Sequence, residues 1–302
     1  MSDTNTIPAA KGERQHYVTT GSHLPMVVPK QRNRSGLQLT RWIGLSLFSF
    51  WLLVALFGPL LAPYPMSAFV SEQIYAGAST SHLLGTDYMG RDMLSRMLTG
   101  ARYTVGLALV AALLSSLVGA GFGMLTVLLP YWLEESIRRI FDTLISIPSK
   151  MMALVMVSAF GTSIPLLILA AVLSYAPGAF RIAHSLAKNL ATLEYVQVAR
   201  TRGEGRLYIA TVEIFPNMIQ PILTDMGMRF VFIVLLLSGM SFLGLGVQPP
   251  VADLGSLVRE NIGGLSQGAL ALIAPALAIG SLTVGANLLI DSLSNSRDNQ
   301  KE

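Results

Sequence analysis

Residues 42–62 read WIGLSLFSFWLLVALFGPLLA, 21 residues without a single charge. At about 1.5 Å per helical residue, such a run crosses a hydrocarbon core about 30 Å thick. A cleaved secretory leader would place its apolar stretch nearer the start of the chain and follow it with a small-residue cleavage site. The run therefore reads as an uncleaved signal anchor with Trp42 at the interface. The whole composition agrees. Of 302 residues, 52% are hydrophobic and 13% charged, about half the charge of an ordinary soluble domain. Mean hydropathy is +0.56. This balance argues against a soluble enzyme, a disordered chain and a nucleic-acid binder.

Outward from that run, further apolar stretches lie at 103–129, 140–160, 164–182, 222–244 and 269–290. The expectation is an all-α membrane protein with six transmembrane helices. Residues 1–41 form a polar tail expected to be disordered. Residues 63–102 form an outer loop. Residues 103–291 form a five-helix core that includes the long polar loop 183–216, and 292–302 a short tail. Placing the N-terminus in the cytoplasm puts fifteen of the 21 Lys and Arg residues on inner segments and four on outer ones, so both termini are expected to be cytoplasmic. The net charge of +4 then reads as an orientation signal.

Much chemistry is missing. There is no cysteine, the four histidines lie far apart, and no H-E-x-x-H occurs, so no metal or other cofactor is expected. No lysine is followed by Ser or Thr, which removes the P-loop, and no G-x-S-x-G elbow is present. The chain is not expected to be an enzyme, and any ATP-driven work falls to a partner. The glycines 119, 121 and 123 sit in an apolar run and read as close helix packing.

The loop 183–216 is the richest segment. A short helix over 191–202 is expected to end at Gly203, a residue suited to the left-handed conformation that closes a helix. A second helix should run to Pro216, whose ring prevents simple continuation. Exposed apolar side chains on such a pair suit a groove on another protein. A helix lying on the lipid surface is the alternative.

Here the sequence resembles the inner-membrane permeases of bacterial ABC importers. Aligned on Gly203, that family's E-A-A positions fall on Gln197, Val198 and Ala199. Three further segments resemble the second permease subunit of the oligopeptide, dipeptide and nickel branch: HLLGTDYMGRD at 82–92 continuing to Ser95 and Arg96, SFLGLGVQPP at 241–250, and Phe141-Asp142-Thr143 with Ile147-Pro148-Ser149. The resemblance covers about residues 42–295. The chain departs from it at Asp253-Leu254-Gly255, where relatives carry Trp-Gly, and at Glu213, where many carry His.

The resemblance implies a MetI-like permease fold. It also implies a homologous second permease subunit, two ATP-binding cassette ATPase subunits, a periplasmic substrate-binding protein and a lipid bilayer, with no nucleic acid. Glu194, Gln197, Val198, Ala199, Arg200, Gly203 and Pro216 would couple to the ATPases. Peptides are the expected substrate class, with nickel or metal chelates and opines as alternatives. A channel, a secondary transporter or a membrane-embedded enzyme are rival classes, and the long inner loop has no use in the first two. Three charges lie inside spans and are candidate pathway residues by default. Lys150 and Arg229 could contact a substrate carboxylate. Alternatively Asp225, four residues from Arg229, pairs with it, and Lys150 snorkels to headgroups. Asp87, Arg91 and Asp92 could dock the binding protein, or simply tie down the outer loop.

Overall fold

The computed structural model describes residues 34–267 and 270–298. Ten α-helices run in order: α1 Arg34–Leu61, α2 Met93–Thr126, α3 Tyr131–Ile145, α4 Ser149–Phe160, α5 Ile164–Leu190, α6 Glu194–Thr201, α7 Arg206–Tyr208, α8 Phe215–Phe242, α9 Leu254–Glu260 and α10 Leu270–Asp298. The described residues hold no strand beyond two isolated bridges, Phe69 with Arg91 and Thr86 with Asp92.

Among the described residues, five helices are long and apolar enough to cross a bilayer. The third expected span differs. Residues 140–160 are not one rod: α3 and α4 meet at 83°. Pro148 stands at the N-cap of α4, and the residue before a proline is pushed out of helical backbone. The count becomes six only if this bent pair is one span. Other boundaries shift too. Helix α1 begins at Arg34 rather than Trp42; of the tail expected to be disordered, 1–33 lies outside the described residues, as does 299–302 of the C-terminal tail. Helix α2 begins at Met93, because the Asp92 carboxylate accepts from the Ser95 N–H and caps it.

Pro216 does not end its helix. Residues Arg206–Phe242 form one continuous helical rod with a π-helical stretch at Ile209–Ile214. The Phe215 N–H bonds to the Ala210 carbonyl, five residues back. Pro216 has no N–H to give, and the widened turn just before it absorbs the missing bond.

Between membrane helices the bilayer gives no hydrophobic drive, so close backbone approach does the work. Gly119 and Gly123 form one face of α2 against α5. A Cβ on Gly119 would lie 2.3 Å from the Ala176 carbonyl oxygen, and one on Gly123 2.8 Å from the His184 nitrogen. Gly44 and Gly285 serve the α1–α10 contact in the same way, and Trp51 Nε1 donates to Ser281 Oγ across it at 2.9 Å. The main apolar core joins α1, α2, α4, α5, α8, α9 and α10. A second cluster, including Ala183, Ala187, Val196, Ala199, Ile209 and Met218, gathers at the end of α5 around α6.

Gly123→Leu should therefore cost about 1–3 kcal/mol by overpacking. Gly121→Ala, where a Cβ meets nothing within 4 Å, should be neutral or stabilising. Thermal unfolding of the detergent-solubilised protein separates the two; equal midpoints would contradict this packing.

Candidate functional site

Three places hold the residues of interest: the α6–α7 turn, the middle of the bundle, and the end opposite the turn.

Helix α6 buries Val196 and Ala199 against the second apolar cluster. Ala199 is 3% exposed, so it fastens α6 to the bundle and does not belong to an outward face. Glu194, Tyr195, Gln197, Val198 and Arg200 point outward. Val198 is 47% exposed, and Leu207, Tyr208 and Val212 continue the apolar surface. Gln197 Nε2 donates to the Ala191 carbonyl at 3.1 Å. Gly203 has φ +81°. The Glu204 N–H reaches the Ala199 carbonyl and the Gly203 N–H the Arg200 carbonyl, the bond pair of a Schellman closure. Pro216 is exposed inside the continuing helix.

Two ties at this end of the bundle escape sequence reasoning. Arg206 Nη1 donates to the Leu128 carbonyl at the end of α2, 2.9 Å away. Buried His184 meets Thr126 Oγ1 through Nδ1 at 3.0 Å and Glu134 through Nε2 at 3.3 Å, while Lys188 reaches the same carboxylate at 3.2 Å. The i, i+4 spacing of His184 and Lys188 put them on one face, but nothing local announced the acid from α3.

In the middle of the bundle, Arg229 Nε donates to Asp225 Oδ2 at 2.6 Å and Nη1 to the Tyr175 carbonyl of α5. Arg229 is 6% exposed. A Cβ on Gly178 would come within 3.1 Å of its guanidinium, so a glycine makes its room. These two charges neutralise each other and join α8 to α5. Lys150 is separate, exposed on the first turn of α4 and without an ion pair among the described residues. A groove of about 750 Å³ between α1, α2, α8 and α10 touches none of the three, and Gln220 and Thr224 are its polar points.

At the opposite end, the expected docking residues turn inward. Asp87 is 0% and Arg96 1% exposed. Asp87 Oδ2 accepts from Arg91 Nε at 2.7 Å and from Arg96 Nη1, while Oδ1 accepts the Met89 and Arg91 N–H groups. Glu260, at the end of α9, accepts from Arg91 at 3.1 Å and from Arg96 at 2.8 Å. Asp92 caps α2 and meets His82 Nδ1 at 3.0 Å. Asp87 and Arg91 are tied to Arg96 and Glu260, and Asp92 to His82 and Ser95, the arrangement that the loop-tying alternative describes. Thr104 Oγ1 accepts the Leu254 N–H and Asn261 Oδ1 the Tyr88 N–H. The segments 82–96 and 253–261 therefore interlock. Asp253 caps α9, and burial pushes its carboxyl above the usual range despite hydrogen bonds from Ser256.

The comparisons with known proteins come to the same region of the chain. Residues 119–297 match the family model described as "Binding-protein-dependent transport system inner membrane component". The dipeptide transport system permease protein of Haemophilus influenzae is 29% identical, covering 85% of this chain and 89% of that one. A putative peptide transport system permease protein of Brucella suis is 30% identical over 83% of this chain and 84% of its own. The glutathione transport system permease protein of Pectobacterium atrosepticum is 28% identical over 81% and 82%.

Two outcomes test the tie. Glu260→Ala strands two buried guanidinium groups on one carboxylate and should cost about 3–5 kcal/mol in thermal or denaturant unfolding; a change under about 1 kcal/mol would show the tie to be dispensable. Asp253 has a raised carboxyl pKa, so folding is opposed once pH exceeds the ordinary carboxylate value. Asp253→Asn keeps the cap, and its stability gain over the parent should be larger at about pH 7 than at about pH 4.

Proposed function

The chain belongs to the family of binding-protein-dependent transport system inner membrane components, and from that premise we propose that it carries peptides through one half of an ATP-driven importer. It is a multi-pass inner-membrane protein and an ABC importer permease subunit. In this reading a homologous second permease supplies the other half of the path. Two ATPase subunits grip residues 194–208, and a binding protein delivers the solute from outside. The Lys and Arg distribution supports cytoplasmic termini, which places the α6–α7 turn inside. The names of the relatives, dipeptide, peptide and glutathione transport permeases, support peptides over nickel, metal chelates or opines.

The observation that carries coupling is the two-sided build of α6. One face is sealed into the bundle through Val196 and Ala199, and the other offers Tyr195, Val198 and Arg200 to a partner. A push on the outward face is received by the ends of α5 and α8 through one apolar cluster, by α2 through Arg206, and by α8 along an unbroken rod. Glu194 and Gln197 lie on the same outward side, and Gly203 sets the turn.

Val198→Asp places a charge on the outward face without touching the core. Co-purification of the ATPases with the complex should fall about tenfold or more, and ATP-dependent dipeptide uptake in proteoliposomes with it. Full retention of both would remove 194–208 as the gripping element.

A further inference from the structure

Lys150 sits at a depth where a lone cation cannot rest against lipid. Ser149, its neighbour, offers its carbonyl to Ser174 Oγ of α5 at 3.2 Å. The uncharged part of α5 runs from residue 164 to 180 and ends at Arg181, so Ser174 lies about 15 Å from its start and about 10 Å from Arg181 at 1.5 Å per residue. The next residue along α5 carries the same depth into α8: the Tyr175 carbonyl accepts from Arg229, which stands midway along Phe215–Phe242. A lysine side chain reaches about 6 Å, so snorkelling from Lys150 stops far short of either headgroup layer. The position also opposes the helix dipole, since a cation in the first turn of α4 faces its positive end.

The backbone beside it makes an independent demand. Ser146, Ile147 and Pro148 break the span at this depth and are exposed, and Pro148 gives α4 no side-chain cap. Hydrocarbon cannot satisfy exposed irregular backbone; such a break is tolerated only against protein or along a water-filled cavity. Discontinuous helices at the midplane are where transport proteins hold their solutes. Arg229 is already neutralised by Asp225 at 2.6 Å. Lys150, like Arg102 and Arg181, is exposed and has no ion pair among the described residues, and of these it is the one that adjoins the broken stretch.

We propose that the break at 146–150 lines the translocation path and that Lys150 binds the carboxylate of the passing solute. The inference rests on the importer reading and sharpens its substrate class to solutes with a free carboxylate, which every unmodified peptide carries. A carboxylate on the second permease would meet the same electrostatic need but would cancel the charge permanently, and access of the position to water during turnover separates the two.

The chain contains no cysteine, so Lys150→Cys introduces its single thiol. The complete transporter, carrying this variant, is reconstituted in proteoliposomes with its ATPases and binding protein, and uptake of a dipeptide is measured. Uptake should fall about tenfold, the loss of one charge-assisted contact, with the complex intact. Aminoethylation by a water-soluble methanethiosulfonate, which rebuilds a cation of lysine-like length, should restore uptake to within about twofold, and saturating dipeptide should slow the labelling; the neutral methyl reagent should restore nothing. The proposal is overturned if the thiol is not labelled from water during turnover, if the neutral reagent rescues equally, or if uptake never falls. Loss of the second permease from the complex would instead assign Lys150 to an ion pair between subunits. Absence of ATP-dependent uptake by the unsubstituted transporter would count against the importer reading itself.

Discussion

Hydrocarbon offers no hydrogen-bond partner, and every polar feature of this chain is arranged around that fact. A peptide group left unpaired in the membrane costs several kcal/mol, and an isolated charge more. Long helices solve the problem for most of the backbone. Asp225 and Arg229 solve it for themselves by pairing at i, i+4, with Gly178 clearing space so that the guanidinium can also reach the Tyr175 carbonyl. At the end opposite the α6–α7 turn, Asp87 and Glu260 together take up Arg91 and Arg96. Lys150 and the broken stretch at 146–148 stand side by side outside this pairing, both exposed.

How far the sequence discloses this arrangement depends on the range of each interaction. The five long spans are visible because their apolar runs are longer than any soluble core helix needs. Gly203 is visible because a glycine after a short amphipathic helix has one common use, and the structure gives it φ +81°. Asp225 and Arg229 are visible because their partner lies on the same helix. Long-range contacts are not. Glu260 lies 164 residues from Arg96, and Glu134 54 from Lys188, so neither pairing leaves a local trace. The bend between α3 and α4 is an intermediate case. Pro148 allows a helix start or a mere kink with equal ease, and the choice is made by Ser174 and the packing of α5, which no window around residue 148 contains.

The segment 82–96 shows how one motif can carry two readings of its role. Its charges look like an outward face because three of them fall within six residues, from Asp87 to Asp92. Each has a backbone or side-chain acceptor or donor close by, however, and the Asp92 cap turns the chain sharply into α2. Once that turn is made, Arg91 and Arg96 point at the end of α9. The large side chains left facing outward are Leu83, Tyr88 and Met89. The segments 82–96 and 253–261 are therefore two halves of one brace.

The same reasoning accounts for the rod from Arg206 to Phe242. A rigid lever needs continuous hydrogen bonding, yet Pro216 interrupts it where α8 enters the apolar cluster. The π-helical stretch at 209–214 keeps the rod continuous by moving the mismatch one register, to the Phe215–Ala210 bond. In the proposed coupling, displacement of the α6–α7 turn along this continuous rod would be carried into α8. Arg229 lies beyond that joint and holds α8 to α5 through Tyr175, so an axial shift of α8 pulls on the segment of α5 against which Ser149 and the 146–148 break rest. In the proposed reading, work entering at the turn would reach the part of α5 beside Lys150 through this chain of contacts.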